Sequence, residues 1–203
     1  MSLASMLEAP TTRIEEIAEW LDRRTHAERL EAIRTLHRSH QRTLYTRASL
    51  SPAITLEHFV PPSRPDRTEV RHHGKNTLPV PDVFRTFEKR FCRPADGTQR
   101  LFGYNEGAAL QWLGPGYFVA RPTADNPVWA ARGDVVIDYF EVPDGPVVET
   151  WPPVVPNTRG LQRFVYHKTR DFMRRVSQHV SIGAAYRVER SLDHYFVLVR
   201  EDV

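Results

Sequence analysis

Between Asn157 and Val180 the apolar positions recur at a helical period. At 100° per residue Leu161, Phe164, Val165, Phe172, Met173, Val176 and Val180 fall on one side. Arg159, Arg163, His167, Arg170 and Arg174 fall on the other. The pattern predicts one long amphipathic helix over 157–180 whose apolar face is buried and whose basic face is open to an anionic partner.

The first 48 residues carry the same period in two shorter runs. Thr12 with Glu15, and Thr25 with Glu28, have the spacing of a capping box. Behind them Ile14, Ile17, Ala18 and Leu21, then Leu30, Ile33, Leu36 or His37, His40 and Leu44, share faces. The short link Asp22-Arg23-Arg24 makes the two runs antiparallel neighbours. Residues 1–50 are thus expected to form a helical hairpin, an appendage or packed subdomain, with 51–203 as the main domain. Pro81 suits the first turn of a further helix to about Cys92, with Val83, Phe84, Phe87 and Phe91 inward. Lys89, Arg90 and Arg93 then lie near its C-terminus, where they complement the helix dipole and carry no functional weight.

From Gln99 to Val142 the period shortens. Arg100–Asn105, Ala108–Leu113, Tyr117–Arg121 and Asp134–Val142 are rich in aromatic and β-branched residues and are separated by glycine- and proline-bearing turns, the signature of a β-meander. Ile54–Val60 reads as another strand, Pro61–Asn76 as a turn-rich surface segment, and Asp144–Pro156, with four prolines, as an irregular crossover. Ile182–Glu189 and His194–Glu201, joined at Arg190-Ser191-Leu192-Asp193, predict a C-terminal hairpin. The expected fold class is α+β: an N-terminal helical hairpin, then an antiparallel β-meander covered by a long amphipathic helix and closed by a C-terminal β-hairpin.

Composition narrows the function classes only a little. With 40% hydrophobic residues the 203-residue chain can bury a core, and 28 Lys+Arg against 25 Asp+Glu leave a formal charge of +3. So small an excess makes nucleic-acid binding depend on local patches. The single cysteine, Cys92, excludes an intrachain disulfide and a cysteine-based zinc site, and reads as a small buried hydrophobe. Met1–Pro10 lacks a secretion-signal pattern, and no apolar run approaches the ~20 residues of a membrane span, so a cytoplasmic location is expected. The phosphate-binding, dinucleotide, nucleophile-elbow and zincin motifs are absent, and the sequence names no cofactor and no metal.

Candidate chemistry is local. His72, His73, Lys75 and Asn76 concentrate donors around Gly74 and are suited to a phosphate or carboxylate. Tyr104 and Asn105, at a strand end, are placed to line a cavity mouth, although Asn105-Glu106-Gly107 is also ordinary turn chemistry. His167 with Asp171, at i and i+4, has the spacing of a carboxylate-held base or of a surface ion pair. His37 and His40 read as packed histidines, and the tryptophans at 112, 129 and 151 as core, with Trp129 or Trp151 as a possible pocket roof. The leading expectation is a small-molecule-binding domain with a pocket between sheet and long helix, its ligand amphipathic or anionic, catalysis left open. The alternatives are a protein-interaction or assembly module acting through the helical hairpin, which includes a homo-oligomer, and nucleic-acid binding through Arg159, Arg163, Arg170 and Arg174.

Overall fold

The computed structural model of the chain describes residues 1–108 and 114–202. Eight antiparallel strands follow one another around a closed barrel: β1 (Val70–Asn76), β2 (Thr86–Cys92), β3 (Leu101–Glu106), β4 (Phe118–Pro122), β5 (Val135–Asp138), β6 (Thr169–Arg175), β7 (Val180–Arg187) and β8 (Arg190–Arg200). β1 closes on β8 from His72 opposite Arg200 to Asn76 opposite Phe196, so neither sheet edge is left unpaired. Four short helices precede the barrel: α1 (Leu3–Glu8), α2 (Ile14–Asp22), α3 (His26–Arg34) and α4 (Arg38–Arg47). Single turns α5 (Leu56–Phe59), α6 (Pro127–Ala130) and α7 (Gln162–Val165) lie in the connections.

The residues alternate across the barrel wall and supply three apolar clusters. Inside are Val70, Phe91, Leu101, Phe118, Ala120, Val135, Ile137, Met173, Phe196 and Leu198, closed at one end by Ile54, Phe59 and Val60. Outside, α1–α4 bury Leu3, Met6, Leu7, Ile14, Ile17, Leu21, Ile33 and Leu44 against Val180, Ile182, Val197 and Val199 of β7 and β8. On another sector of the outer wall Trp151 and the proline-rich crossover cover Cys92, Phe102, Tyr104, Tyr117 and Val119.

The barrel interior is narrowed by three bulky rings and relieved by three glycines. Gly74 stands opposite Phe87, Gly103 opposite Phe118 and Gly183 opposite Phe196. A Cβ at Gly103 would come within 2.4 Å of the Arg90 carbonyl and of the Phe118 ring, and one at Gly183 within 2.3 Å of the Phe196 ring. Each glycine leaves its cross-strand neighbour the space to lie flat on the wall.

This architecture overturns the α+β expectation: the sheet is a closed barrel, and no long helix covers it. Residues 157–180 form a loop, the single turn α7, strand β6 and the start of β7. The error has a physical source. Arg170 and Arg174, four apart, share a face in a strand as well as in a helix. The adjacent pair Phe172 and Met173 read as one helical face, yet in β6 they point to opposite sides. Met173 enters the barrel, and Phe172 packs outside against Trp129 and Tyr186. A strand buried on both faces shows no simple alternation and imitates a helix.

The helix expected over 81–92 fails for a related reason, a charged residue on the inner face of a strand. Asp82–Phe84 is a 3-10 turn with Val83 and Phe84 exposed, and Thr86–Cys92 is β2. Phe87 and Phe91 coincide at either period, and only Lys89 between them distinguishes the two. In a helix it would point away from both, whereas in the strand it joins them inside. Ile54–Val60 is not a strand but holds α5, and residues 70–76 of the expected surface segment are strand β1. The second N-terminal run, correctly begun by the Thr25–Glu28 capping box, breaks after Arg34 and restarts at Arg38. The C-terminal hairpin turns at Val188 and Glu189, both with positive φ, two residues before the expected link. Leu192 and Asp193 form a bulge in β8 instead. The expected strand Ala108–Leu113 and Trp112 fall almost wholly outside the described residues.

Candidate functional site

One part of the barrel interior is packed with side chains and another part is open. The open part is a cavity of about 470 Å³. Its walls include Phe87, Phe196, Tyr166, Ala185 and Leu78, and its rim carries the partly exposed Phe84 and Phe164. Arg187 ties the rim down by donating to the carbonyls of Phe164 and Val165. Eight strands enclose a space just wide enough for side chains or one small ligand.

At the boundary between the packed and open parts sit four polar side chains, Lys89, Asn105, Tyr139 and Asp171. Lys89 (β2) and Asn105 (β3) are direct cross-strand partners. Asp171 comes from β6 and Tyr139 follows β5 immediately. The Lys89 Nζ donates to Asn105 Oδ1 at 2.9 Å and to the Tyr139 hydroxyl, and lies 3.3 Å from Asp171 Oδ2. Its three donors thus have three partners. The Tyr139 hydroxyl in turn reaches Asp171 Oδ2 at 3.3 Å, and Asn105 Nδ2 is anchored on the Gly116 carbonyl at 2.9 Å.

Several aromatic rings crowd this group. The rings of Phe196, Tyr139 and Phe118 have their centroids 4.9–5.1 Å from Nζ, and Tyr166 stacks on Tyr139. The Lys89 side chain is 2% exposed and that of Asp171 8%. Burial pushes the Lys89 ammonium below its ordinary pKa, with the attraction of Asp171 opposing it. Burial likewise pushes the Asp171 carboxyl up against the pull of Lys89, and holds the Tyr139 phenol well above its usual range. Both members of the pair are therefore brought toward their neutral forms, and a proton can pass between them over 3.3 Å.

The structure distributes the sequence candidates widely. Asn105 belongs to the polar group and Asn76 lines the cavity. His72 faces the barrel interior at its filled end, Nε2 donating to the Phe59 carbonyl at 3.0 Å. His73 and Lys75 point outward, His73 toward Glu88 and Lys75 to the Arg34 carbonyl. Tyr104 is on the outer wall under Trp151, at 5.0 Å between ring centroids. His167 lies between α7 and β6, half-exposed and off the cavity lining, while Asp171 is inside, so the two do not pair. Trp129 and Trp151 both cover outer faces rather than the cavity.

The four arginines of the expected basic face are dispersed. Arg170 is held by Asp138 and Glu189 on the barrel wall, and Arg174 by the carbonyls of Tyr45 and Ala131. Arg159 and Arg163 are exposed on the preceding loop and turn. His40 binds Glu8 at 3.1 Å, and among the described residues no group of three or more His, Cys, Asp or Glu side chains is placed to hold a metal ion. No helix among them is long and apolar enough to cross a membrane.

Lys89 and Tyr139 are the functional candidates that periodicity passed over, and Asp171 serves Lys89 where the spacing gives it His167 as partner. One signal does point to the first: the chain has three lysines, Lys75, Lys89 and Lys168, against 25 arginines. Where arginine is the standard cation, a lysine between two phenylalanines two residues to either side marks a position that needs a compact amine. Comparison with protein-family profiles, with curated proteins and with solved structures finds no match for this chain.

Proposed function

We propose that the barrel binds an apolar small molecule carrying one oxygen function, with its body in the open part and its oxygen on Lys89, Tyr139 and Asn105. The observation that carries this reading is a buried lysine–carboxylate pair on the wall of an open cavity whose inner walls are mostly aromatic and aliphatic, with Glu106, Arg187 and His194 also on its lining. A buried ion pair adds little stability compared with apolar packing, and here the space beside it is left unfilled. That combination of convergent polar groups, shifted pKa values and apolar walls is the ordinary form of a ligand site. A cytoplasmic setting accords with a lone cysteine that is buried and unpaired.

The test is a thermal scan with a series of one body and varied oxygen: naphthalene, 2-naphthalenemethanol, 2-naphthoic acid and 2-naphthaldehyde. A ligand at 100 times its Kd stabilises by about 2.7 kcal/mol, which is roughly 5–11 °C for a chain of this size. The oxygenated members should shift the melting midpoint more than naphthalene, and Ala185→Phe, which fills the cavity, should abolish every shift. Equal shifts in wild type and Ala185→Phe, or none with any member, would refute the proposal.

The rival expectation of an assembly surface on the N-terminal helices loses its main motive. Their apolar stripes are spent within the chain, against β7 and β8.

A further inference from the structure

We infer that Lys89 is a nucleophile, and that the cavity captures an apolar aldehyde or ketone covalently, as an imine on its Nζ. The inference rests on the binding reading above and gives it a substrate class. Three observations converge. Lys89 lines the inner end of the cavity together with Asn105, Tyr139 and Asp171. A proton acceptor stands 3.3 Å from Nζ, in Asp171 Oδ2. The Tyr139 phenol is within hydrogen-bond reach of Nζ, and it is held in turn by the Asn105 amide nitrogen, which donates to it at 3.2 Å. Binding a neutral carbonyl compound would require only a hydrogen-bond donor such as the Tyr139 hydroxyl. An amine with its own acid–base partner is the set that addition to a carbonyl needs.

The steps balance without a further reagent. The Lys89 ammonium passes a proton to the Asp171 carboxylate, leaving a neutral amine beside a carboxylic acid. The Nζ lone pair forms a bond to the carbonyl carbon while the C=O π pair moves to oxygen. A proton then moves from nitrogen to that oxygen through the Tyr139 hydroxyl, which gives one proton and takes one, and yields a neutral carbinolamine. The nitrogen lone pair forms the C=N bond as the C–O bond breaks, and the leaving hydroxyl takes the Asp171 proton and departs as water. The product is an iminium paired with the Asp171 carboxylate, the same net charge as the resting ammonium–carboxylate pair. Burial favours the first step, because it disfavours both charged forms.

The small number of lysines makes the experiment clean. The full chain is incubated with 2-naphthaldehyde and sodium cyanoborohydride, and the intact mass is read, followed by peptide mapping. One adduct is expected, heavier than the protein by the aldehyde less one oxygen, on the peptide containing Lys89. Lys75, Lys168 and the terminal amine should stay unmodified at the same exposure. Lys89→Arg, which keeps a cation opposite Asp171, should lose the adduct, and Ala185→Phe should lose it with Lys89 intact. Wild-type mapping decides the matter even if Lys89→Arg fails to fold. An adduct spread over the exposed amines, or none, overturns the imine. If 2-naphthalenemethanol still shifts the melting midpoint in that case, the cavity reading stands and only the nucleophile falls. If no member of the series shifts it, both fall together.

Discussion

Replacing Lys89 by methionine should destabilise the protein by about 4 kcal/mol at pH 7, and adding Asp171→Leu should restore most of that loss. At 3.3 Å and an effective dielectric of ~20, the Lys89–Asp171 attraction is on the order of 5 kcal/mol. Removing the lysine leaves a carboxylate in an aromatic surround with only the Tyr139 hydroxyl facing it. The carboxyl escapes by taking up a proton, and that escape caps the cost. Protonating a group of ordinary pKa 3.8 at pH 7 costs about 4 kcal/mol. In the variant the folded carboxyl therefore titrates far above the unfolded one. Between those values the folded state binds the extra proton, so stability falls as pH rises through the window and recovers toward pH 4. The measurement is urea unfolding of wild type, both single variants and the double variant at pH 7 and pH 5. Differences from wild type are compared, so that other titrating groups cancel. The deficit of Lys89→Met should shrink by roughly 2.7 kcal/mol over those two units, and the double variant should unfold within ~1 kcal/mol of wild type or above it. A pH-independent deficit, or a double variant as unstable as the sum of the singles, would show that the pair is not the isolated buried unit described here.

Two further outcomes are expected. His72 is buried, with Nδ1 facing no acceptor, and its pKa is lowered to about 3. Its folded pKa lies below the unfolded value near 6.5, so its contribution is complete above pH 6.5 and is lost as pH falls, at up to ~1.4 kcal/mol per unit. His58, also lowered, adds with the same sign. His72→Phe should flatten the fall in urea midpoint between pH 6.5 and 4, and an unchanged slope would exonerate this histidine. Phe172→Ala, on the outer wall against Trp129, Tyr186 and Arg132, should cost about 3–5 kcal/mol in the same assay, and a loss below ~1 kcal/mol would count against its burial.

How much of this was legible depended on how cleanly an element divides into one apolar and one polar face. β3 and β4 overlap the segments that the alternation marks to within one residue, β5 falls within its segment, and the Thr25–Glu28 box starts α3 where the spacing places it. β2 reads as a helix because its inner face carries Lys89 between Phe87 and Phe91, and β6 because its outer face is itself covered, by Trp129 over Phe172. Those two strands carry Lys89 and Asp171. The candidate site was thus hidden by the same misreadings that hid the barrel. Asn105 stands out as a polar residue at a strand end, placed to line a cavity mouth, against the competing reading of an ordinary turn.

The register that closes the barrel also assembles the site. Lys89 reaches the interior because it stands opposite His72 on one side and Asn105 on the other, both of which face inward. A slip of one residue in β2 would turn Glu88 and Arg90 inside and put Lys89 on the surface, since the side-chain period is two. Phe87 and Phe91 oppose that slip, because it would expose two rings that now face Gly74 and Val70 across β1. The two phenylalanines therefore hold the lysine in place through register, without touching its chemistry. Gly74 is part of the same device: a side chain there would collide with Phe87 and Leu198 and push β2 away from β1. A position so closely held by apolar neighbours would be filled most stably by another apolar residue. That it holds an amine, with an acid 3.3 Å away and a cavity beside it, is the strongest reason to look for chemistry at Lys89.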